Sequence, residues 1–380
     1  MKNICNYYIG AWCLYYLQGT LYESGGILSQ GLMLLLMIVS LYYFIYANLH
    51  FKLPKVLKVL SVLIALFTVY GVFIILFGNG VVYVQNYQYL KAIYMSLLPV
   101  FPFYVFTKKG QLTDKTLCFW VFVFIPVAIA GLYRDQREAL ERAMELNSDR
   151  QEFTLNTGYL FLAIIALLPL FKKAFLQYAL LAVCLDFVLM GMKRGAILIG
   201  GICMLYYILS AFNSTNSKKK FWVVLLSMAI LVAGYFAVHY MLDTSMYFNT
   251  RIEQTRDGDA SGRDEIFSTY IEAFFNSGVV SFLFGSGADA TLRMIGYAHN
   301  DWLEIAINNG LVGLSLYFYY WLVMYKTFRN TKDETLKKMI GLFMIVYFSR
   351  TFFSMSYNDI PIYATAALGY ALAARDLMRA

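Results

Sequence analysis

Charge is scarce in this sequence. Of its 380 residues only 14% are Asp, Glu, Lys or Arg, while 60% are hydrophobic. Soluble domains carry charge on about a quarter of their residues, so an ordinary water-soluble domain is excluded, and with it any estimate of domain number from length. Histidine is rarer still. His50, His239 and His299 are the only three, so imidazole chemistry has few places to reside. The five cysteines (Cys5, Cys13, Cys118, Cys184, Cys203) lie in apolar segments and form no C-x-x-C pair. That pattern excludes a zinc ribbon or disulfide framework and predicts buried, inert thiols. No group of carboxylates away from the lysine-rich segments has the spacing of magnesium ligands, so no metal and no cofactor is expected. There is no internal repeat and no low-complexity tract. Lys2 precedes an apolar stretch without a small-residue cleavage site, which does not read as a signal peptide. No nucleic-acid partner is expected.

What the sequence has is long hydrophobic runs. About 20 apolar residues cross a bilayer as a helix, and twelve segments qualify: 4–22, 26–49, 56–77, 91–107, 116–133, 154–171, 174–191, 196–212, 221–241, 302–325, 339–357 and 360–376. The predicted fold is therefore all-α, a single integral membrane domain over 1–380 with about twelve transmembrane helices. With the N-terminus inside, the inner segments collect Lys52, Lys55, Lys108, Lys109, Lys115, Lys172, Lys173, Lys218, Lys219, Lys220, Lys326, Lys332, Lys337 and Lys338, the positive-inside pattern. Both termini then lie in the cytoplasm.

The basic residues are also segregated by type. The outer side receives twelve, ten of them arginine: Arg134, Arg137, Arg142, Arg150, Arg194, Arg251, Arg256, Arg263, Arg293 and Arg350. Sixteen of the nineteen inner ones are lysine. Topology accepts either residue, whereas a guanidinium fork matches phosphate and carboxylate oxygens. An anionic, phosphorylated ligand on the outer face is one explanation; arginines reaching lipid headgroups or pairing with loop carboxylates is the other. Two outer segments are long. Tyr133–Phe153 has apolar residues at helical spacing and reads as a surface helix or a salt-bridged linker helix. The loop 242–300 is too long for a connector and contains an apolar-periodic stretch (Ile266, Tyr270, Ile271, Phe274, Phe275), followed by the glycine-broken "FGSGAD".

Polar residues at the apolar segments mark candidate chemistry. Asp186 lies within a predicted span and is a functional candidate by its depth, or a partner for a basic residue. Arg194 stands in the short "MKRG" turn. In "YAHNDWLEIAINNGLVG", Asp301 and Glu304 have the spacing of a capping box, with Asp301 as N-cap. That reading leaves His299 unexplained, and imidazole is the side chain suited to moving a proton near neutral pH. Ala306, Gly310 and Gly313 read as a small-residue packing face, with Asn308 and Asn309 bonding a neighbouring helix.

On these residues the sequence resembles the O-antigen ligase and O-antigen polymerase family. "AHNDWLEIAINNGLVGL" is similar to its His-Asn-x-x-Leu-Glu … Gly-Leu-x-Gly signature. "MKRGA" resembles its Ser-Arg-Gly element with Lys193 in place of serine, "SGRDEIF" its Gly-Arg element, and "FGSGAD" the glycine turn before the His motif. Order and spacing agree from about residue 156 to 325. Arg251 and Gly262 fit an arginine–glycine spacing described for polymerases, a pairing that chance often supplies in a chain with 26 glycines.

The resemblance implies a membrane glycosyltransferase acting on the periplasmic face of the bacterial inner membrane, with a glycan on undecaprenyl pyrophosphate as donor. By position, His299 would be the catalytic base, and Arg194 and Arg263 would hold the pyrophosphate. Arg251, Arg293, Asn300 and Asp301 complete the expected substrate-binding set. Arginines can stabilise the pyrophosphate leaving group without a metal, and direct attack by an acceptor hydroxyl would invert the anomeric centre. Partners would be the lipid-linked oligosaccharide and membrane lipids, with a chain-length regulator as a further one to look for. A polymerase of O-antigen or capsular repeat units is the preferred expectation, and a ligase acting on lipid A core the alternative. A flippase for a lipid-linked glycan is the rival of another class; the absence of an inverted repeat counts against it.

Overall fold

The computed structural model describes residues 3–77, 83–145, 153–214, 217–256 and 263–379. No extended strand occurs among them; the chain is all-α, as expected. The helices in chain order are α1 (Asn3–Tyr16), α2 (Ile27–His50), α3 (Lys55–Phe77), α4 (Tyr83–Leu97), α5 (Val100–Lys108), α6 (Asp114–Glu145), α7 (Gly158–Ile165), α8 (Ala174–Met190), α9 (Arg194–Ser214), α10 (Ser217–Thr244), α11 (Met246–Arg256), α12 (Arg263–Phe275), α13 (Val279–Phe284), α14 (Ala290–Met294), α15 (Asp301–Arg329), α16 (Glu334–Phe353) and α17 (Ile362–Leu377).

Most helices begin and end within a few residues of the hydropathy-derived segments, because in hydrocarbon the backbone must satisfy its own hydrogen bonds. The helices within 4–22 and 154–171 are shorter, Asn3–Tyr16 and Gly158–Ile165, and two further segments differ. The segment 91–107 is divided into α4 and α5: Pro99 offers no N–H and disfavours the helical conformation at Leu98. Conversely, Tyr133–Glu145 is not a separate surface helix. No glycine or proline interrupts it, and it continues the preceding span as one 32-residue helix, α6. The remainder of that predicted element, 146–152, lies outside the described residues.

Among the described residues, five segments are long and apolar enough to cross a membrane: Ile27–His50, Lys55–Phe77, Tyr87–Lys108, Asp114–Glu145 and Val224–Thr244. Three shorter apolar helices accompany them, Gly158–Leu170, Ala174–Met190 and Arg194–Ser210. Large side chains such as Leu34, Leu35 and Ile38 on α2 and Leu231, Val232 and Phe236 on α10 remain exposed. Apolar surface on this scale is stable only against lipid; this is a membrane protein.

The chain forms two compact units. The first comprises Met1–Leu35, Phe106–Asp259 and Lys332–Val346. In it two of the arginines expected on the outer side close the end of α1. The Arg134 guanidinium donates to the carbonyls of Tyr16 (3.3 Å) and Gln18 (2.9 Å), and Arg137 to that of Gly19 (2.8 Å). Helix C-termini leave such carbonyls without intrahelical partners, so these arginines serve backbone rather than ligand. Arg134 also pairs with Asp135 at 2.7 Å.

The second unit comprises Leu36–Val105, Ala260–Thr331 and Tyr347–Ala380. Its central helix is α17, buried from Ile362 to Arg375. Small residues make this possible: a Cβ on Gly369 would stand 2.6 Å from the Val100 carbonyl oxygen, so α5 and α17 approach backbone to backbone.

Candidate functional site

In the second unit α15 is two helices in one. Gly310 has φ 66°, ψ −165°, which interrupts the helix and takes the carbonyls before it out of the i→i+4 ladder. The glycine turn of "FGSGAD" supplies what is missing. Ser286 N–H donates to the Ile307 carbonyl (2.8 Å) and Gly287 N–H to that of Asn308 (3.1 Å). Gly310 was expected to serve close helix packing. It does bring backbones together, but as a break with positive φ, and Asn-Asn-Gly is a turn signal that could have indicated it. Asn308 bonds a neighbouring helix as expected, the short α14. Its amide donates to Glu304 (3.2 Å) and its oxygen accepts from Thr291 N–H (3.3 Å).

The start of α15 carries the His motif. Asn300, not Asp301, is the N-cap: its Oδ1 accepts from the N–H groups of Trp302 (2.9 Å) and Leu303 (3.2 Å). The expected cap is therefore shifted by one residue, and Glu304 does not close a box with it. Glu304 does reach back to a backbone amide, that of Ala298 (2.9 Å), and also accepts from the Thr291 hydroxyl. His299 lies between these fixed points, exposed, with φ 51°. Asp301 is fully buried. It accepts from Tyr317 OH (2.7 Å), Ser356 N–H (2.7 Å) and the Ser356 hydroxyl, and so ties α15 to the loop between α16 and α17.

That loop gathers other predicted residues. Arg263, first in α12, donates to the Phe353 carbonyl at 2.9 Å. Arg350 is buried, donating to the carbonyls of Met355 (3.0 Å) and Asp359 (2.9 Å) and pairing with the Asp359 carboxylate at 2.7 Å. Trp302 reaches the same end of α16 through Nε1 to Thr351 Oγ1, 2.9 Å. Thus Arg263, His299, Asn300 and Asp301 belong to one locally cross-tied region. Arg293, in the last turn of α14, donates to the Ser286 carbonyl (2.9 Å) on the glycine turn. Beside it Asp289 is buried with φ 52°. Burial pushes its carboxyl up to about 6, against the pull of the Arg293 guanidinium. An apolar cavity of about 470 Å³ lies between α12 and α15, with Phe274, Phe275, Trp302 and Ala306 in its wall.

Arg194 belongs to the first unit, where it begins α9. The turn before it docks on the start of α7. Leu155 N–H donates to the Gly191 carbonyl (2.8 Å), Lys193 Nζ to Asn156 Oδ1 (2.6 Å), and a Cβ on Gly191 would stand 3.3 Å from Gly158 Cα. Met192 in this turn has φ 50°. Arg251 lies in α11; its side chain, like Gly262, is outside the described residues. Asp186 lines an apolar groove of about 830 Å³ formed by α8, α9 and α10. No group of three or more His, Cys, Asp or Glu side chains that could hold a metal ion occurs among the described residues.

Residues 179–318 match the O-antigen ligase family. No curated protein matches the chain. The O-antigen ligase match bears out the family resemblance read from the motifs. Within the matched segment the backbone has a further regularity. Met192, Asp289 and His299 are the non-glycine residues with positive φ among the described residues. One falls in each of three motif elements: "MKRGA", "FGSGAD" and "YAHND".

Proposed function

We propose that the protein is a metal-independent, inverting glycosyltransferase that polymerises undecaprenyl-pyrophosphate-linked repeat units into O-antigen or capsular polysaccharide. The observation that carries this reading is the coincidence just described. Left-handed backbone at a non-glycine residue costs of the order of 1–3 kcal/mol and collects at functional sites. Here it marks the turns that carry the Arg194 element, the glycine turn and His299.

In this mechanism His299 takes the proton from the acceptor hydroxyl as that oxygen attacks the anomeric carbon. Its place on an exposed turn suits a group that must meet a saccharide. Arg194 and Arg263 stabilise the pyrophosphate as the glycosidic bond breaks. Arg251, Arg293 and Asn300 complete the substrate-binding set, with Asp301 acting through the loop it holds. The apolar cavity between α12 and α15 suits the lipid portion of the donor. The protein is a single integral membrane domain of about twelve spans in the bacterial inner membrane, with both termini cytoplasmic and the segment 242–300 outside; a chain-length regulator is a further partner.

Two other readings are tested alongside. A ligase uses the same donor and differs only in its acceptor, lipid A core. A transporter is favoured by one feature, the broken helix α15, since transporters coordinate ions with unwound carbonyls. Here, however, the carbonyls of Ile307 and Asn308 are occupied by Ser286 and Gly287 N–H groups. The deciding assay is purified protein in detergent with lipid-linked repeat unit alone. A ladder of products, lost in His299→Ala, is the expected result. Product only after addition of lipid A core would identify a ligase. No turnover in detergent, but movement of the lipid in sealed vesicles, would identify a transporter.

A further inference from the structure

Glu304 has no part in the mechanism above, yet it brackets its central residue. It is fully buried. On one side of His299 its carboxylate accepts from Ala298 N–H at 2.9 Å. On the other side its own N–H donates to the Asn300 carbonyl at 2.9 Å. Its second oxygen accepts from the Thr291 hydroxyl and from Asn308 Nδ2 (3.2 Å). Thr291, also fully buried, donates its N–H to Asn308 Oδ1 (3.3 Å) and accepts from Tyr270 OH (3.1 Å) through its carbonyl. Glu304, Thr291 and Asn308 therefore close a ring of hydrogen bonds beneath the His turn. Buried networks with their members satisfied are rigid, and the low local dielectric raises the cost of opening them.

The consequence is geometric. With Ala298 held by the side chain of Glu304 and Asn300 by its backbone, the single residue between them must span two fixed points. His299 does so at φ 51°, a conformation that histidine adopts more readily than most side chains but seldom unaided. We propose that Glu304 is the positioning residue for the base: its carboxylate, acting through the Ala298 amide, holds the left-handed turn and thereby aims the imidazole. This rests on the reading of His299 as the base. Glu304 touches no reacting atom, so its removal acts on the chemical step and not on donor binding.

The test uses Glu304→Ala and Glu304→Gln in full-length protein. Glutamine keeps an oxygen for Ala298 N–H but turns an amide donor towards Thr291 and Asn308. For Glu304→Ala, kcat should fall about 100-fold or more with KM for the lipid-linked donor within about threefold, as expected when a catalytic group is misplaced; Glu304→Gln should recover at least about tenfold of that loss. A second readout is independent of turnover. Replacing His50 and His239 by glutamine leaves one imidazole, whose nitrogen resonances should be single in the parent and shifted or multiple in Glu304→Ala. Unchanged resonances in a folded Glu304→Ala protein would overturn the proposal, as would a loss of activity that appears only in KM. Should Glu304→Ala not fold, Glu304→Met, which fills the volume but removes the acceptor for Ala298 N–H, takes its place, and wild-type kcat with parental resonances there would overturn it equally. If His299→Ala keeps wild-type turnover, the reading of His299 as base fails instead, while the resonances still report whether Glu304 holds the turn.

Discussion

Gly285 and Gly310 lie backbone against backbone. A Cβ on Gly310 would stand 2.4 Å from the Gly285 nitrogen, and one on Gly285 would stand 2.3 Å from the Asn308 carbonyl oxygen. Both also have positive φ, 78° and 66°. Alanine at either position would meet backbone strain of about 1–3 kcal/mol and overpacking of about 1–3 kcal/mol. Gly285→Ala and Gly310→Ala should therefore each melt well below wild type in detergent. A Gly310→Ala protein with wild-type melting would show that the break in α15 is not built on this contact.

Asn300 and Asp301 should rank in a particular order. Asn300→Ala removes a cap and should cost about 1 kcal/mol, with Asn300→Asp close to wild type. Asp301→Ala strands the Ser356 N–H, the Ser356 hydroxyl and Tyr317 OH in a buried place, at about 1–3 kcal/mol for each unmet group. It should be the more destabilising of the two by thermal denaturation. The opposite ranking would show that the buried bonds of Asp301 contribute less than the Asn300 cap.

The arginines expected on the outer side should separate into two classes. Arg134→Lys loses the fork that serves the Tyr16 and Gln18 carbonyls, so melting should fall, by about 1 kcal/mol, with activity per folded molecule intact. Arg194→Lys and Arg263→Lys keep charge but lose bidentate geometry, so turnover should fall about tenfold or more with little change in melting. Unimpaired turnover in both would argue against a pyrophosphate clamp.

Asp289 gives stability a pH dependence of predictable sign. Burial raises its carboxyl from 3.8 to about 6, so the folded state binds its proton more tightly than the unfolded state. Its contribution is fully present below about pH 4 and is lost as pH rises through about 6. Asp289→Asn removes this dependence. The variant should gain on wild type between pH 5 and 7.5, by up to about 3 kcal/mol from the size of the shift. Parallel melting curves across that range would show that Asp289 is not titrating there.

Much of the architecture was legible because a bilayer-compatible helix must be a long apolar run. The boundaries of α2, α3, α8 and α17 follow from that alone. His299 stood out as a candidate because a capping pattern accounts for its neighbours and not for it. The break at Gly310 was harder to see. In sequence Gly310 resembles Gly313, and only the approach of Gly285 distinguishes them. The cap was displaced by one residue for a similar reason: Asn300 and Asp301 are both good caps, and the choice was made by Ser356 and Tyr317, which take the Asp301 carboxylate for another purpose.

Composition and hydrophobic run length by themselves determined that this chain is helical and lies in a membrane, since those properties depend on solvent and need no partner. The motif residues determined its family resemblance. Which residue caps α15, which arginines serve backbone carbonyls, and why His299 holds a left-handed turn were decided only in three dimensions. Each depends on a hydrogen-bond partner distant in sequence or on a backbone approach that no local pattern encodes.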